Sequence, residues 1–195
     1  HTGISGKMFG ALGRNSVNIR AIAQDTSEKN ISAVISTADV KKAINVLHEE
    51  FFETACKQIN LFVTGVGNVG SRLMSQLQEQ QQYLLDHLRL QLRVVGMCNS
   101  KKMVLDEDGI DLRNWQQQLK QGASMDLTEF IAFIEQKNLR NPVFVDVTSS
   151  EPVTRYYEPL LRKSVAVVAC NKIASSSSYE NFELLKHLAR EYNTS

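Results

Sequence analysis

The sequence predicts an α/β chain, an open doubly wound parallel sheet preceded by a partial α+β module. Three observations predict it. The apolar run at residues 58–64 enters the glycine turn Gly65-Val66-Gly67-Asn68-Val69-Gly70, behind which Val69, Leu73, Met74 and Leu77 recur at helical spacing. Further apolar runs at residues 92–100, 141–150 and 164–170 alternate with helical patterns, as the strands of a parallel sheet do. Ahead of all this, about 55 residues read as helix, strand, strand, helix.

In chain order, Ile4, Met8, Phe9 and Leu12 place a helix over residues 4–14, weakened by Gly10 and Gly13 and broken at Asn15-Ser16. Residues 17–23 alternate with period two, as a half-buried strand does. The polar run 25–30 is a hairpin-type connection, and Ile31, Ala33 and Ile35 continue the alternation with Val34 on the opposite face. Asp39 is placed to N-cap a helix carrying Val40, Ala43, Ile44, Leu47 and Phe51 on one face. The unit reads as a small ligand-binding module without its first strand. His1-Thr2-Gly3 begins abruptly, which predicts a piece of a longer chain. The expected division is residues 1–57 and 58–195.

Strand, G-x-G-x-x-G, helix is the context that makes a glycine turn a dinucleotide fingerprint. Gly65 allows the tight turn, Gly67 lets a pyrophosphate approach the backbone, and Gly70 brings helix and strand together. The free N–H groups of Asn68, Val69 and Gly70 at the helix start face the anion. The bland alternative is the same strand–turn–helix packed through its glycines with no ligand.

The helix extends through a polar stretch, residues 78–89, with Leu84, Leu85 and Leu88 as its stripe. The second strand then ends at Asn99-Ser100-Lys101-Lys102. A carboxylate at this tip would bond both ribose hydroxyls of NAD and repel an added 2′-phosphate. A neutral-to-basic tip favours NADP, with NAD as the alternative, unless the two lysines merely solvate a loop. Residues 103–110 suggest an extra hairpin around Asp108-Gly109. Helical patterns follow at 112–119 and 127–134, with Trp115 as a core anchor rather than a stacking platform. The third strand runs into Thr148-Ser149-Ser150 at a C-terminal strand end, where ligands sit in open α/β sheets. Thr148 and Ser149 can present hydroxyls and N–H groups to the cofactor, while Ser150 is placed to cap the helix from Glu151-Pro152. The fourth strand, residues 164–170, ends at Asn171-Lys172, so Lys172 is a strand-tip residue or an ordinary exposed lysine. The run Ser175–Ser178 reads as a loop and cap before a helix bearing Phe182, Leu185 and Leu188.

Composition narrows the class. The 195 residues exceed the usual ~100–150 of one domain, so one and a half to two small domains are expected. A net charge of +1 without a basic or acidic block gives no reason to expect nucleic acid or an anionic membrane as partner. No apolar run approaches the ~18 residues of a membrane span, and no signal peptide is visible. Cys56, Cys98 and Cys170 are odd in number and set among apolar neighbours, which predicts reduced, buried thiols, no metal, and a cytoplasmic location.

Two resemblances sharpen this reading. Residues 3–9, residues 17–24 with Ser27-Glu28, and Ile31-Ser32 resemble an ACT domain, in particular the second ACT repeat of aspartokinases. That likeness implies an amino-acid effector, with Gln24 and Asn18 as its contacts, threonine as the pathway's candidate, and pairing into a homo-oligomer. A purely structural dimerisation role is the alternative, because Asp25 stands where the family often has glycine. From residue 58 onward the chain resembles the Rossmann-like nucleotide-binding domain of homoserine dehydrogenase. The glycine turn, Asn99-Ser100-Lys101, residues 108–112 with Trp115, residues 146–150 and Asn171-Lys172 carry it. Together the two segments resemble the central part of a bifunctional aspartokinase–homoserine dehydrogenase. The resemblance implies NAD(P)-dependent interconversion of L-homoserine and L-aspartate 4-semialdehyde. It places Lys172 near nicotinamide and substrate, and puts the family's acid–base lysine and substrate carboxylates in a later domain. A non-catalytic nucleotide-sensing module and a dehydrogenase of another semialdehyde or hydroxy acid are the competing readings.

Overall fold

The computed structural model describes residues 3–24, 30–51, 56–172, 179–192 and 194, without the side chains of Gln24, Tyr179 and Glu180. The chain divides into two compact units, residues 1–55 and 56–195. The connection at residues 25–29 and the run Ser175–Ser178 lie outside the described residues.

In the first unit α1 (Ile4–Arg14), β1 (Ile19–Gln24), β2 (Ile31–Ile35) and α2 (Val40–Phe51) follow one another. β1 and β2 pair antiparallel, with Ile22 opposite Ala33 and Gln24 opposite Ile31. The core is Leu12, Val17 and Ala43, with Met8, Ile19, Ile35 and Leu47 packed on it. Two expectations change here. A 3-10 turn, Thr37–Asp39, leads into α2, so Asp39 belongs to a helical turn instead of standing extended as a cap. The buried face of α2 runs through Ala43 and Val46, whereas Val40 is 41% and Ile44 61% exposed. Packing against the Leu12–Val17 corner sets that rotation, which periodicity leaves free.

The second unit holds a six-stranded sheet. Its elements are β3 (Lys57–Thr64), α3 (Asn68–Leu88), β4 (Leu90–Cys98), β5 (Lys102–Leu105), α4 (Trp115–Gln121), β6 (Ala123–Ser124), α5 (Leu127–Lys137), β7 (Pro142–Asp146), α6 (Glu151–Thr154), α7 (Tyr157–Arg162), β8 (Ala166–Ala169) and α8 (Tyr179–Glu191). The spatial order is β6-β5-β4-β3-β7-β8. β4, β3, β7 and β8 are parallel, and β5 and β6 add an antiparallel edge. The chain steps from β3 to β4 on one side and later to β7 on the other. The crevice at the carboxyl ends of β3 and β7 is therefore the topological switch point.

Helices cover both faces, so β3 and β4 read as continuous apolar runs rather than alternating ones. Leu61, Val63, Val94 and Met97 meet Met74 and Leu77 of α3 and Trp115 and Leu119 of α4 on one face. Phe62, Val95 and Phe144 meet Phe130, Ile131 and Ile134 of α5 with Tyr157 and Leu160 of α7 on the other. Trp115 is a buried core residue, 6% exposed. α5 starts on an N-cap, where the Asp126 carboxylate accepts from the Thr128 and Glu129 N–H groups at 2.8 and 3.1 Å.

The hairpin expected around Asp108-Gly109 lies elsewhere. β4 turns into β5 through residues 99–101, while Gly109, at φ +100°, closes a separate turn by donating its N–H to the Asp106 carbonyl at 3.2 Å. β8 is also less buried than expected, with Val168 53% exposed and the Cys170 thiol at the surface. It pairs with β7 alone, so its outer side keeps no strand among the described residues. Phe182 is 38% exposed, whereas Leu188 of the same helix is buried. Among the described residues no helix is long and apolar enough to cross a membrane, and no group of three or more His, Cys, Asp or Glu side chains could hold a metal ion.

Candidate functional site

The glycine turn hangs from both neighbours of β3. The N–H groups of Gly65 and Val66 both donate to the Cys98 carbonyl at 2.9 Å, and Val147 donates to the Thr64 carbonyl at 3.0 Å. Gly65 sits at φ +91°, where an L side chain is strained. A Cβ there would stand 2.6 Å from Thr148 Cγ2 and 3.0 Å from its backbone nitrogen. A Cβ on Gly70 would lie 2.5 Å from the Gly65 carbonyl oxygen, so helix and turn touch backbone to backbone. Gly67 is the opposite case: a Cβ there would meet nothing within 4 Å.

Gly67 is also the N-cap of α3 and supplies no side-chain bond to it. The first-turn N–H groups of Asn68, Val69 and Gly70 lack intrahelical acceptors. They open, beside the empty space over Gly67, at the positive end of a 21-residue helix. That combination suits an anion such as a pyrophosphate. Val69, expected on the apolar face of α3, is 59% exposed.

A cleft of about 530 Å³ opens beside the turn. Gly65, Gly67, Asn99, Ser100, Thr148 and Ser149 all line it, so the structure gathers six of the sequence-selected residues into one place. Met125, Leu127 and Val153 form an apolar part of its wall. Met125 and Val153 were not selected from sequence, and Leu127 only as part of a helix pattern. The β5–β6 pairing delivers Met125, which donates its N–H to the Lys101 carbonyl at 2.9 Å, and no local pattern announces such a contact. Among the described residues, no carboxylate lines this cleft.

The basic tip resolves into separate roles. Asn99 Oδ1 accepts from the N–H groups of both Lys101 and Lys102 at 2.8 Å, and its own N–H donates to the Lys102 carbonyl at 2.9 Å. This Asx turn closes the β4–β5 hairpin and uses the backbone donors that an anion would otherwise claim. Lys102 Nζ donates to the Gly122 carbonyl at 2.8 Å, which ties the lysine to the β6 side of the hairpin. Lys101 is exposed and stands outside the cleft lining, next to Ser100.

At the other end, Ser150 occupies the N-cap position of α6 without a side-chain cap bond. Its N–H donates to Thr148 Oγ1 at 3.1 Å, leaving the Thr148 proton able to turn into the cleft. The loop is organised by Asp146, whose carboxylate is fully buried. Asp146 Oδ1 accepts from the Thr148 N–H at 2.8 Å, and Oδ2 accepts from Tyr157 Oη at 2.5 Å and Asn171 Nδ2 at 3.0 Å. Burial, then the Asp146 bond, push the Tyr157 phenol above its ordinary range, so it stays a donor. Tyr157 went unselected from sequence. Asp146 and Asn171 were noticed only as motif members, although an aspartate ending an apolar strand signals a buried, partnered charge. Lys172 is exposed and follows Asn171 directly.

Burial pushes the Cys98 thiol up to about 11, so it remains a neutral SH group at ordinary pH. Cys98 is the buried thiol; Cys56 is partly buried and Cys170 exposed, which corrects the expectation of three buried thiols. In the first unit Asn18 is exposed just before β1, and Gln24 ends that strand. The structure leaves both outside the cleft, which belongs to the second unit alone.

An open parallel sheet with a glycine cradle at its switch point defines a dinucleotide-binding class of protein. The comparisons carry the assignment further. The family described as homoserine dehydrogenase, NAD binding domain, matches residues 65–194, and an ACT domain family matches residues 1–51. The chain belongs to the homoserine dehydrogenase NAD-binding family. It is similar to the bifunctional aspartokinase/homoserine dehydrogenase of Haemophilus influenzae, at 34% identity over 96% of this chain and 23% of that protein. A chloroplastic bifunctional aspartokinase/homoserine dehydrogenase of Arabidopsis thaliana is 34% identical over 98% of this chain and 21% of its own length. The chain thus spans between a fifth and a quarter of these curated relatives. A hyperthermophilic archaeal homoserine dehydrogenase, solved in complex with NADPH, shares the fold with a TM-score of 0.56 at 18% identity, covering 70% of this chain and 42% of that one.

Proposed function

We propose that residues 56–195 are the cofactor-binding half of a homoserine dehydrogenase that interconverts L-homoserine and L-aspartate 4-semialdehyde, within a parent enzyme that also carries aspartate kinase activity. The open space over Gly67, at the N-terminus of α3, is the observation that carries this reading. NADP is the favoured cofactor, with NAD as the alternative. When bound, its nicotinamide accepts or returns the hydride. Gly65, Gly67 and Gly70 give the pyrophosphate its approach, and Asn68 and Val69 offer N–H groups to it. The adenosine end lies toward Asn99 and Ser100, against the apolar wall of Met125 and Leu127. Lys101 meets the 2′-phosphate. Thr148 and Ser149 hold the nicotinamide end, where the Lys172 ammonium binds or polarises a substrate oxygen.

Titration of the chain with NADPH and NADH, followed by nucleotide fluorescence, tests this. Lys101→Glu is expected to weaken NADPH about tenfold, the scale of one charge-assisted contact, while changing NADH little. Binding of neither nucleotide to the unsubstituted chain would refute the reading.

The first unit fits an amino-acid-sensing role, with Gln24 and Asn18 as effector contacts, threonine as effector, and a cytoplasmic homo-oligomer as the working form. Threonine is expected to raise the melting temperature in a dose-dependent way, and Gln24→Ala to remove that rise. An unchanged response in the variant would reduce this unit to an assembly surface.

A further inference from the structure

Asp146, at the carboxyl end of β7 beside the cleft, has no exposed surface. A carboxylate withdrawn from water persists when donors replace its hydration, and three do so here. They come from three different segments. Thr148 N–H belongs to the loop leaving β7, Tyr157 Oη to the start of α7, and Asn171 Nδ2 to the chain leaving β8. Asn171 Nδ2 also donates to the Ser150 carbonyl at 3.1 Å, which ties the exit of β8 to the start of α6. An apolar residue at this strand end would satisfy the packing at lower desolvation cost. A buried charge with three converging donors fixes the relative position of loops instead.

We infer that Asp146, Tyr157 and Asn171 are positioning residues for the nicotinamide end of the cofactor. Asp146 gathers the Thr148–Ser149 wall and the Asn171-Lys172 tip onto one buried carboxylate, so the two loops that would flank the ring keep a fixed separation. The inference rests on the cofactor reading above. None of the three residues lines the cleft; each acts through Thr148, Ser149 or Lys172.

The test uses two ligands on the same chain. NADPH reaches both ends of the crevice, whereas adenosine 2′,5′-bisphosphate fills the adenosine end alone. By calorimetric titration, Tyr157→Phe and Asn171→Asp are each expected to weaken NADPH about tenfold or more, the scale of one lost hydrogen bond to a charged group, with bisphosphate affinity held within about twofold. Asn171→Asp sets two carboxylates against each other. Equal loss of both ligands in Tyr157→Phe would reduce the network to general structure and overturn the inference. Unchanged NADPH affinity in the single variants would overturn it as well. A chain that binds the bisphosphate in every form but never NADPH would refute the cofactor reading itself.

Discussion

Gly70→Ala is expected to lower folding stability by about 3 kcal/mol, at the upper end of what overpacking costs. The added methyl would fall 2.5 Å from the Gly65 carbonyl oxygen, which is backbone and has nowhere to retreat. Gly65 is held on one side by its N–H bond to the Cys98 carbonyl, at 2.9 Å, and its carbonyl accepts from the Gly67 N–H at 2.7 Å. Moving that oxygen therefore strains the whole turn and lifts the start of α3 off β3. Equilibrium unfolding in urea measures the loss through a shifted midpoint. A loss under about 1 kcal/mol, the ordinary cost of a tolerated substitution, would mean that the turn is looser than the structure has it.

Gly67→Ala is expected to separate binding from folding. Nothing stands within 4 Å of the new methyl, so stability should stay within about 1 kcal/mol of the parent. The methyl enters the space a pyrophosphate needs, and NADPH affinity should fall by more than about tenfold, or 1.4 kcal/mol. Parallel urea unfolding and fluorescence titration give the two numbers. Undiminished binding would move the phosphates away from this turn and leave it a packing device.

The contrast between these two glycines shows what could be read along the chain. The spacing G-x-G-x-x-G after an apolar strand assigned Gly70 to close packing and Gly67 to ligand approach; a Cβ on Gly70 would stand 2.5 Å from backbone, while one on Gly67 would meet nothing within 4 Å. The parallel strands β3, β4 and β7 were legible for the same reason: a strand buried on both faces writes itself as a continuous apolar run, whereas β8 is an apolar edge strand with Val168 exposed. The helices α1, α4 and α5 and the core position of Trp115 followed from periodicity of 3.6 residues.

The misreadings share a cause. Val69 fits the apolar stripe of α3 in phase, yet is exposed at the helix start. Asp108-Gly109 carries turn chemistry and does form a turn, but Asn99 closes the hairpin by accepting two backbone N–H groups at once. Lys101 and Lys102 look equivalent in sequence, and only the carbonyl of Gly122, twenty residues away, distinguishes them. Ile44 matches the helical stripe of α2 and still faces outward, since the stripe's width allows more than one packed rotation.

By itself the sequence determined the class of fold, the place of the glycine turn and the neutral-to-basic character of the second strand's tip. Each of these depends on residues close together in the chain, where backbone conformation and periodicity act. Tertiary structure decided which lysine is tied down, which apolar side chains wall the cleft, and that Asp146 draws Tyr157 and Asn171 onto one charge. Those contacts join groups 11 and 25 residues apart across two loops. A hydrogen bond of that kind is fixed by where strands meet in space, and no local spacing encodes it.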